Sequence, residues 1–225
     1  MIRQLAFDLP ARDALTRAEF FVSPANALAL ATLDDWHDWP GGKLLLTGPK
    51  GAGKTHLAHI WAAEASAAML SGVDLSTADL PALAETGRVA VEDAEAVAGH
   101  PQAETALFHL HNLLLPAGRL LLTAAAPPRD WGLHLADLLS RLQAAPVAQL
   151  QAPDDALLSA VLIKLFADRQ ITVPPNLIPY LVARMPRSID AARALVADLD
   201  ARALQDGRAI TRALAADLLD SAGGE

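Results

Sequence analysis

Apolar residues along the chain fall into two kinds of run, and the order of the two kinds outlines an architecture. Lys43–Thr47 is short, continuous and stopped by a glycine, the pattern of a strand buried on both faces. Ala67–Leu70 reads as a second strand, and Val89-Ala90-Val91 as a third ending in Glu92-Asp93. Arg119–Thr123, stopped by Pro127-Pro128, reads as a fourth, and Val147–Leu150 as a fifth. Between them the spacing turns helical. Leu57, Ala58, Ile60 and Trp61 recur after Thr55, and Leu107, Leu110 and Leu114 share one face of a helix over Gln102–Leu115 that Pro116-Ala117-Gly118 ends. Helical pieces over Asp13–Phe20 and Asn26–Asp34, separated by Val22-Ser23-Pro24, precede the first strand. Strands alternating with helices predict an α/β fold, a parallel five-stranded sheet covered on both faces. From Pro153 onward the strand pattern stops. Asp154–Gln170, Pro175–Met185, Ser188–Gln205 and Thr211–Leu219 each read as a helix, with Asp154 and Thr211 placed as caps. The expected division is a tail over 1–12, an α/β base over 13–152 and an all-helical unit over 153–225.

The junction of the first strand and the helix after it carries the chemistry. Gly48-Pro49-Lys50-Gly51-Ala52-Gly53-Lys54-Thr55 completes the pattern G-x-x-x-x-G-K-[ST] in the strand-to-helix setting that the pattern requires. Gly48 and Gly53 let the backbone turn so that its N–H groups point at phosphates. Lys54 brings a cation to the β- and γ-phosphates, Thr55 brings a hydroxyl to Mg²⁺, and the helix that starts here turns its positive end to the anion. The expected ligand is ADP or ATP. Glu92 and Asp93, at the end of the third strand, are the candidates for the metal side and for water activation. A Glu in the first of these places adds a methylene and changes the reach to the metal. His56, directly after Thr55, is expected beside the nucleotide.

Composition narrows the partners. Of the 225 residues 52% are hydrophobic and only 4% aromatic, as suits a helix-rich chain, and the formal net charge is −8. A chain built to grip DNA phosphates would carry a basic surplus, so direct DNA binding is not expected. The absence of cysteine removes disulfides, thiolate metal sites and thiol nucleophiles. No apolar stretch is long enough to span a bilayer, and the N-terminus lacks the apolar run of a signal peptide, so a soluble, cytoplasmic protein is expected. His56 with His59, and His109 with His111, lack a third ligand at metal-site spacing. Trp36 and Trp39 read as anchors of the loop before Pro40-Gly41-Gly42.

Gly48–Leu57, Glu92-Asp93, Leu120-Leu121-Leu122-Thr123 with Pro127-Pro128, and Leu139-Ser140-Arg141-Leu142 occur in one order and spacing. Together they resemble the AAA+ module of the bacterial replication initiator DnaA, over roughly residues 15–220. No counterpart of DnaA's DNA-binding helix-turn-helix domain is expected after the helical unit. Within this group the chain is most similar to Hda-type regulators of DnaA, whose N-terminal peptide docks on the DNA polymerase III sliding clamp (β subunit). Gln4-Leu5-Ala6-Phe7-Asp8-Leu9 resembles that peptide, with Gln4 leading and Leu5, Phe7 and Leu9 as apolar anchors. The resemblance implies a fold of AAA+ base plus helical lid, an ADP or ATP ligand, and a regulator that, loaded on the clamp, presents an arginine to the ATP of DnaA and shuts initiation down. Arg141 matches that arginine finger, a device worth ~10³–10⁵ in rate when supplied in trans. Arg187 is the candidate for the lid arginine that senses phosphate, with Arg184 as the alternative. Val22 and Ser23 fall where the family wraps the adenine. Side-by-side AAA+ contacts, with DnaA or between copies of the chain, are implied as well.

Two departures bear on hydrolysis. The residue that senses phosphate from the fourth strand is polar in DnaA but falls on Ala125 here, and the glycine–aromatic–glycine after the finger is replaced by Gln143-Ala144-Ala145. With Glu92 these imply tight nucleotide binding and slow intrinsic hydrolysis. A loader-like ATPase acting on single-stranded DNA is the competing reading, and would need a basic groove in place of a clamp peptide. The Ala191–Arg202 segment, with Arg193 and Arg202, reads as a solvated helix face or a partner surface.

Overall fold

The computed structural model describes residues 16–115 and 117–222. The clamp-like peptide with Gln4, Leu5, Phe7 and Leu9 lies outside the described residues. Five strands, β1 (Lys43–Thr47), β2 (Ala68–Ser71), β3 (Arg88–Glu92), β4 (Arg119–Ala124) and β5 (Val147–Gln149), form one sheet in the order β2-β3-β4-β1-β5, every pairing parallel. The helices of this part are α1 (Ala27–Asp34), α2 (Lys54–Ala65), α3 (Leu80–Glu85), α4 (Pro101–Leu114) and α5 (Ala136–Gln143).

The period of two along β1 distributes its leucines between two cores. Leu44 and Leu46 join Leu121, Leu33, Leu57, Ile60 and Trp61 beneath α1 and α2, while Leu45 joins Leu120, Leu122, Val89 and Val91 beneath α4 and α5. Both faces are covered, which is why the strands read as continuous apolar runs. Trp39 is buried and stacks on Trp61 at 5.3 Å between centroids, and Trp36 meets Trp61 edge-on at 6.4 Å. The two outer tryptophans thus anchor the segment before β1.

The remaining helices, α6 (Asp155–Asp168), α7 (Leu177–Val182), α8 (Ile189–Asp206) and α9 (Arg212–Ala222), close over a core of their own built from Leu158, Leu162, Phe166, Leu181, Val196 and Leu199. Asp154 caps α6 by accepting the Leu157 N–H at 2.8 Å, and Thr211 caps α9 by accepting the Leu214 N–H at 3.3 Å.

Three local expectations change. The described part of Asp13–Phe20 holds a 3-10 turn over Arg17–Glu19, and Phe20 is already extended, because Arg17 pairs with Asp34 and pins the turn to the end of α1. The helix expected over Pro175–Met185 is confined to Leu177–Val182. Two helices appear where none was expected, α3, which spans only six residues, and α5, which buries Leu138 and Leu142 on one face.

Below β1, a buried cation holds α5 in place. Lys43 is 8% exposed and His111, on α4, is 3% exposed; Lys43 Nζ lies 3.1 Å from His111 Nε2 and donates to Arg141 O at 2.8 Å. A cation at the carbonyl end of α5 complements its dipole. Burial lowers the His111 pKa below 6.5, and the charges of Lys43 and Arg141 lower it further. The unfolded chain therefore takes up this proton at a higher pH than the folded one, so stability is held above about pH 6.5 and lost as pH falls below it. The urea midpoint should drop between about pH 7.5 and about pH 5.5, and His111→Gln should flatten part of that drop. An unchanged slope in the variant would show that His111 is not the group responsible.

Candidate functional site

The loop Gly48–Gly53 links the end of β1 to the start of α2, and its glycines are required by what surrounds them. A Cβ on Gly48 would stand 2.8 Å from both Leu150 O and Leu150 Cβ. Gly51 and Gly53 have φ of +73° and +101°, in the left-handed range that favours glycine. Gly53 caps α2 without a side-chain hydrogen bond, so the first-turn N–H groups of α2 face the loop as an anion-binding end. Lys54 Nζ lies over the same loop, donating to Gly48 O at 2.8 Å and Pro49 O at 3.2 Å. Lys50 and Thr55 are exposed, and Ala52 is buried beneath the turn.

Because β3 and β4 run parallel to β1, their ends arrive on the same side of the sheet as the loop. Glu92 closes β3 half-buried, and its Oε1 is buried with no hydrogen-bond partner among the described residues. Asp93 is exposed, with φ 48°, and its N–H donates to Thr123 Oγ1 at 3.0 Å. A residue that the sequence did not single out also reaches this edge. Glu95 Oε1 accepts the Ala125 N–H at 2.7 Å, and its Oε2 is buried without a partner among the described residues. A carboxylate therefore stands at the strand end where Ala125 itself offers only a methyl group. Thr55 and Glu92 supply hydroxyl and carboxylate oxygens, a hard donor set that suits Mg²⁺.

The lid meets the loop through Ser188-Ile189-Asp190. Ile189 N donates to Gly51 O at 2.8 Å. Arg187, one residue earlier, donates from Nη1 to Asp155 Oδ1 at 2.5 Å and to Pro153 O at 3.4 Å, which ties it to the entry of α6. Arg184 stacks over Tyr180 at 4.1 Å, and Arg212 over the same ring at 4.5 Å. Arg202 pairs with Asp206 at 3.4 Å.

The N-terminal segment closes another side. His56 Nε2 is 3.1 Å from Thr16 O, and Phe20 lies edge-on at 5.1 Å. Burial lowers the His56 pKa, and the charge of Arg193, on the inner side of α8, adds to this. Val22 is exposed. Ser23 is buried and bound into a turn: its N–H donates to Asn26 Oδ1 at 2.9 Å and its Oγ accepts the Ala25 N–H at 3.2 Å. Gln151 N donates to Ala25 O at 3.0 Å, so this turn braces the chain where it enters the lid.

Arg141 stands apart from all of these groups. It is exposed near the end of α5, and its carbonyl is held by Lys43 at the start of β1, whereas the loop follows the end of β1. Five strand residues separate those ends by about 13 Å.

Comparison with solved structures identifies the fold. Domain III of the Thermotoga maritima replication initiation protein DnaA superposes with a TM-score of 0.78 at 20% identity, over 94% of this chain and 98% of that one. DnaA from Aquifex aeolicus bound to AMPPCP matches with a TM-score of 0.68 at 16% identity, over 80% of this chain and 63% of that one. A replication initiator DnaA bound to AMPPCP and single-stranded DNA matches at 0.65 and 16%, over 83% of this chain and 64% of that one. No family model matches the chain. The chain thus has the AAA+ fold of DnaA domain III, as its motifs imply.

Proposed function

We propose that this chain is a regulator of replication initiation that holds ADP or ATP in the Gly48–Thr55 loop, docks on the sliding clamp through Gln4, Leu5, Phe7 and Leu9, and promotes ATP hydrolysis by DnaA through Arg141. The observation that carries the reading is the opposition of two groups on one sheet. The phosphate loop follows the end of β1, while the exposed Arg141 is tied to its start through Lys43. A guanidinium placed there is suited to a neighbouring molecule's nucleotide rather than to the one beside Lys54.

Within the chain, the loop amides and Lys54 bind the phosphates, and Thr55 and Glu92 hold the ion when Mg²⁺ is bound. Mg²⁺ then neutralises phosphate charge. Asp93 is the group that would activate a water, and Val22, Ser23 and His56 would lie on the base side. Arg187 belongs to the lid side of the site, where release of Asp155 would free its guanidinium for a phosphate. Hydrolysis within the chain is slow and ADP is the favoured ligand, so the bound nucleotide acts as a switch. The base over 13–152 carries the nucleotide, the lid over 153–225 reads it, and the tail over 1–12 recruits the clamp. The protein works in the cytoplasm, and AAA+ contacts form with DnaA or between copies.

The clamp test is direct. The intact chain should bind the isolated sliding clamp, and changing Gln4 and Leu5 together to Ala should weaken binding at least about tenfold, since the leading polar contact and an apolar anchor are both lost. Absence of clamp binding by the unaltered chain defeats this reading. Binding to single-stranded DNA in its place would favour the loader-like alternative.

A further inference from the structure

The lid touches the phosphate loop at its middle, and the side chain it brings closest after Ser188 is acidic. Ser188 caps α8, its Oγ accepting the Ala191 N–H at 3.3 Å. With the Ile189 N–H on Gly51 O at 2.8 Å, the first turn of α8 rests on the loop. A Cβ added to Gly51 would overlap Ser188 Oγ, and it would stand 2.9 Å from Ser188 Cβ and 3.3 Å from Asp190 Oδ2. The Asp190 carboxylate thus stands beside the space above Gly51, at the centre of a loop whose glycines and helix end are arranged for anions.

For α8 alone, an acid in the first turn needs no special account, because the helix dipole favours it. Its effect on the loop is a separate matter. The start of α8 would otherwise add a second positive helix end beside the phosphates, and the Asp190 charge offsets it. Other charges face the same region: Lys50 and Lys54 on the loop, Arg193 on α8 acting on His56, and Glu92, Asp93 and Glu95 at the strand ends. Lys50 and Lys54 bring two cations to the loop and the strand ends contribute three carboxylates, so Asp190 adds one more negative charge where charges of both signs meet. Two nucleotides that share their α- and β-phosphates differ there by the charge of the γ-phosphate. Asp190 is exposed, and its carboxylate beside the loop disfavours the more highly charged of the two.

We propose that Asp190 is a specificity-determining residue that biases the loop toward nucleoside diphosphates over triphosphates. This rests on the nucleotide-binding reading above. It gives the ADP preference a named cause in the lid, and it makes the contact between α8 and Gly51 the place where the lid senses the third phosphate.

The test is titration calorimetry on the intact chain with Mg²⁺ and either ADP or the non-hydrolysable AMPPCP. The unaltered chain should prefer ADP. Asp190→Asn, which keeps the shape and removes the charge, should raise AMPPCP affinity about tenfold, as expected for one charge acting over several ångströms at intermediate dielectric, and ADP affinity by less than about threefold. Asp190→Glu should keep the original ratio, and the difference between Asp and Asn should shrink as salt is raised. An unchanged ratio in Asp190→Asn, or identical ratios in the Asn and Glu variants, overturns the role of Asp190 while nucleotide binding stands. Binding of neither nucleotide by the unaltered chain overturns the nucleotide-binding reading and this inference with it.

Discussion

Arg141→Ala should abolish the stimulation of ATP hydrolysis by DnaA, a loss of about 10³-fold or more in the stimulated rate, while the chain's own affinity for ADP stays within about twofold. The size of the first effect follows from what a finger does: it neutralises charge that develops on the transferred phosphoryl group in a site that already excludes water. The smallness of the second follows from position. The Arg141 carbonyl is held at the start of β1 and the loop follows the end of it, so the guanidinium is expected to play no part in binding the chain's own nucleotide. Among the described residues no carboxylate pairs with Arg141, and its side chain is exposed, so its removal leaves α5 intact. Arg141→Lys should rescue little, because a compact ammonium lacks the planar fork that meets two phosphate oxygens. The measurement is steady-state hydrolysis by DnaA with clamp loaded on DNA, beside a binding isotherm for ADP. Persistent stimulation by the alanine variant removes Arg141 from the role. Collapse of ADP affinity would mean that it acts on its own nucleotide.

The features legible in the sequence are those encoded over a few neighbouring residues. Each of the five strands begins and ends within a residue or two of its apolar run; for the central strands β1, β3 and β4, burial on both faces makes that run continuous. The phosphate loop was legible for a related reason: its glycines and Lys54 satisfy a local backbone geometry in a fixed order. What escaped depends on partners far along the chain. Lys43 reads as an ordinary cation at a strand start, yet its partners lie 68 and 98 residues away. Glu95 reads as a loop acid, and only the parallel pairing of β3 and β4 brings it to Ala125, 30 residues on. Asp190 reads as a first-turn acid, and nothing local says that Gly51 will lie against it. The lid arginines illustrate the same limit. Arg187 is the candidate and Arg184 the alternative three residues away, and the fold engages Arg187 with Asp155 and Arg184 with Tyr180.

Glu104 is the second residue whose replacement should have a large effect, and pattern alone gave it no role. It lies in the first turn of α4, where an acid usually faces solvent, yet it is 1% exposed. Its Oε1 accepts the Gly99 N–H at 3.1 Å, and its Oε2 accepts the N–H groups of His134 and Leu135 at 3.0 and 2.8 Å. Leu135 is the residue from which α5 starts, so one carboxylate fixes the approach to the helix that carries Arg141. Burial pushes the Glu104 pKa up, but the three backbone N–H groups and His134 outweigh it and leave the pKa below its ordinary 4.5. The lowered value means that the unfolded chain takes up this proton first; the stabilisation is present above about pH 4.5 and is lost as pH falls through the folded value. Glu104→Ala removes the acceptor shared by three N–H groups in a part-buried setting and should cost about 2–4 kcal/mol, a large share of the ~5–15 kcal/mol that holds a domain together. Glu104→Gln keeps one acceptor but turns an NH₂ toward N–H donors, and should cost about 1–3 kcal/mol. Urea titrations should rank the unaltered chain above Glu104→Gln above Glu104→Ala, and the Gln variant should lose the acid-side slope. A folded Glu104→Gln should also stimulate DnaA less while binding ADP normally, because α5 would lose its fixed start. If Glu104→Gln matches the unaltered chain in both stability and stimulation, the carboxylate is not what positions Arg141, and the hold on α5 must come from Lys43 and the buried Leu138 and Leu142 alone.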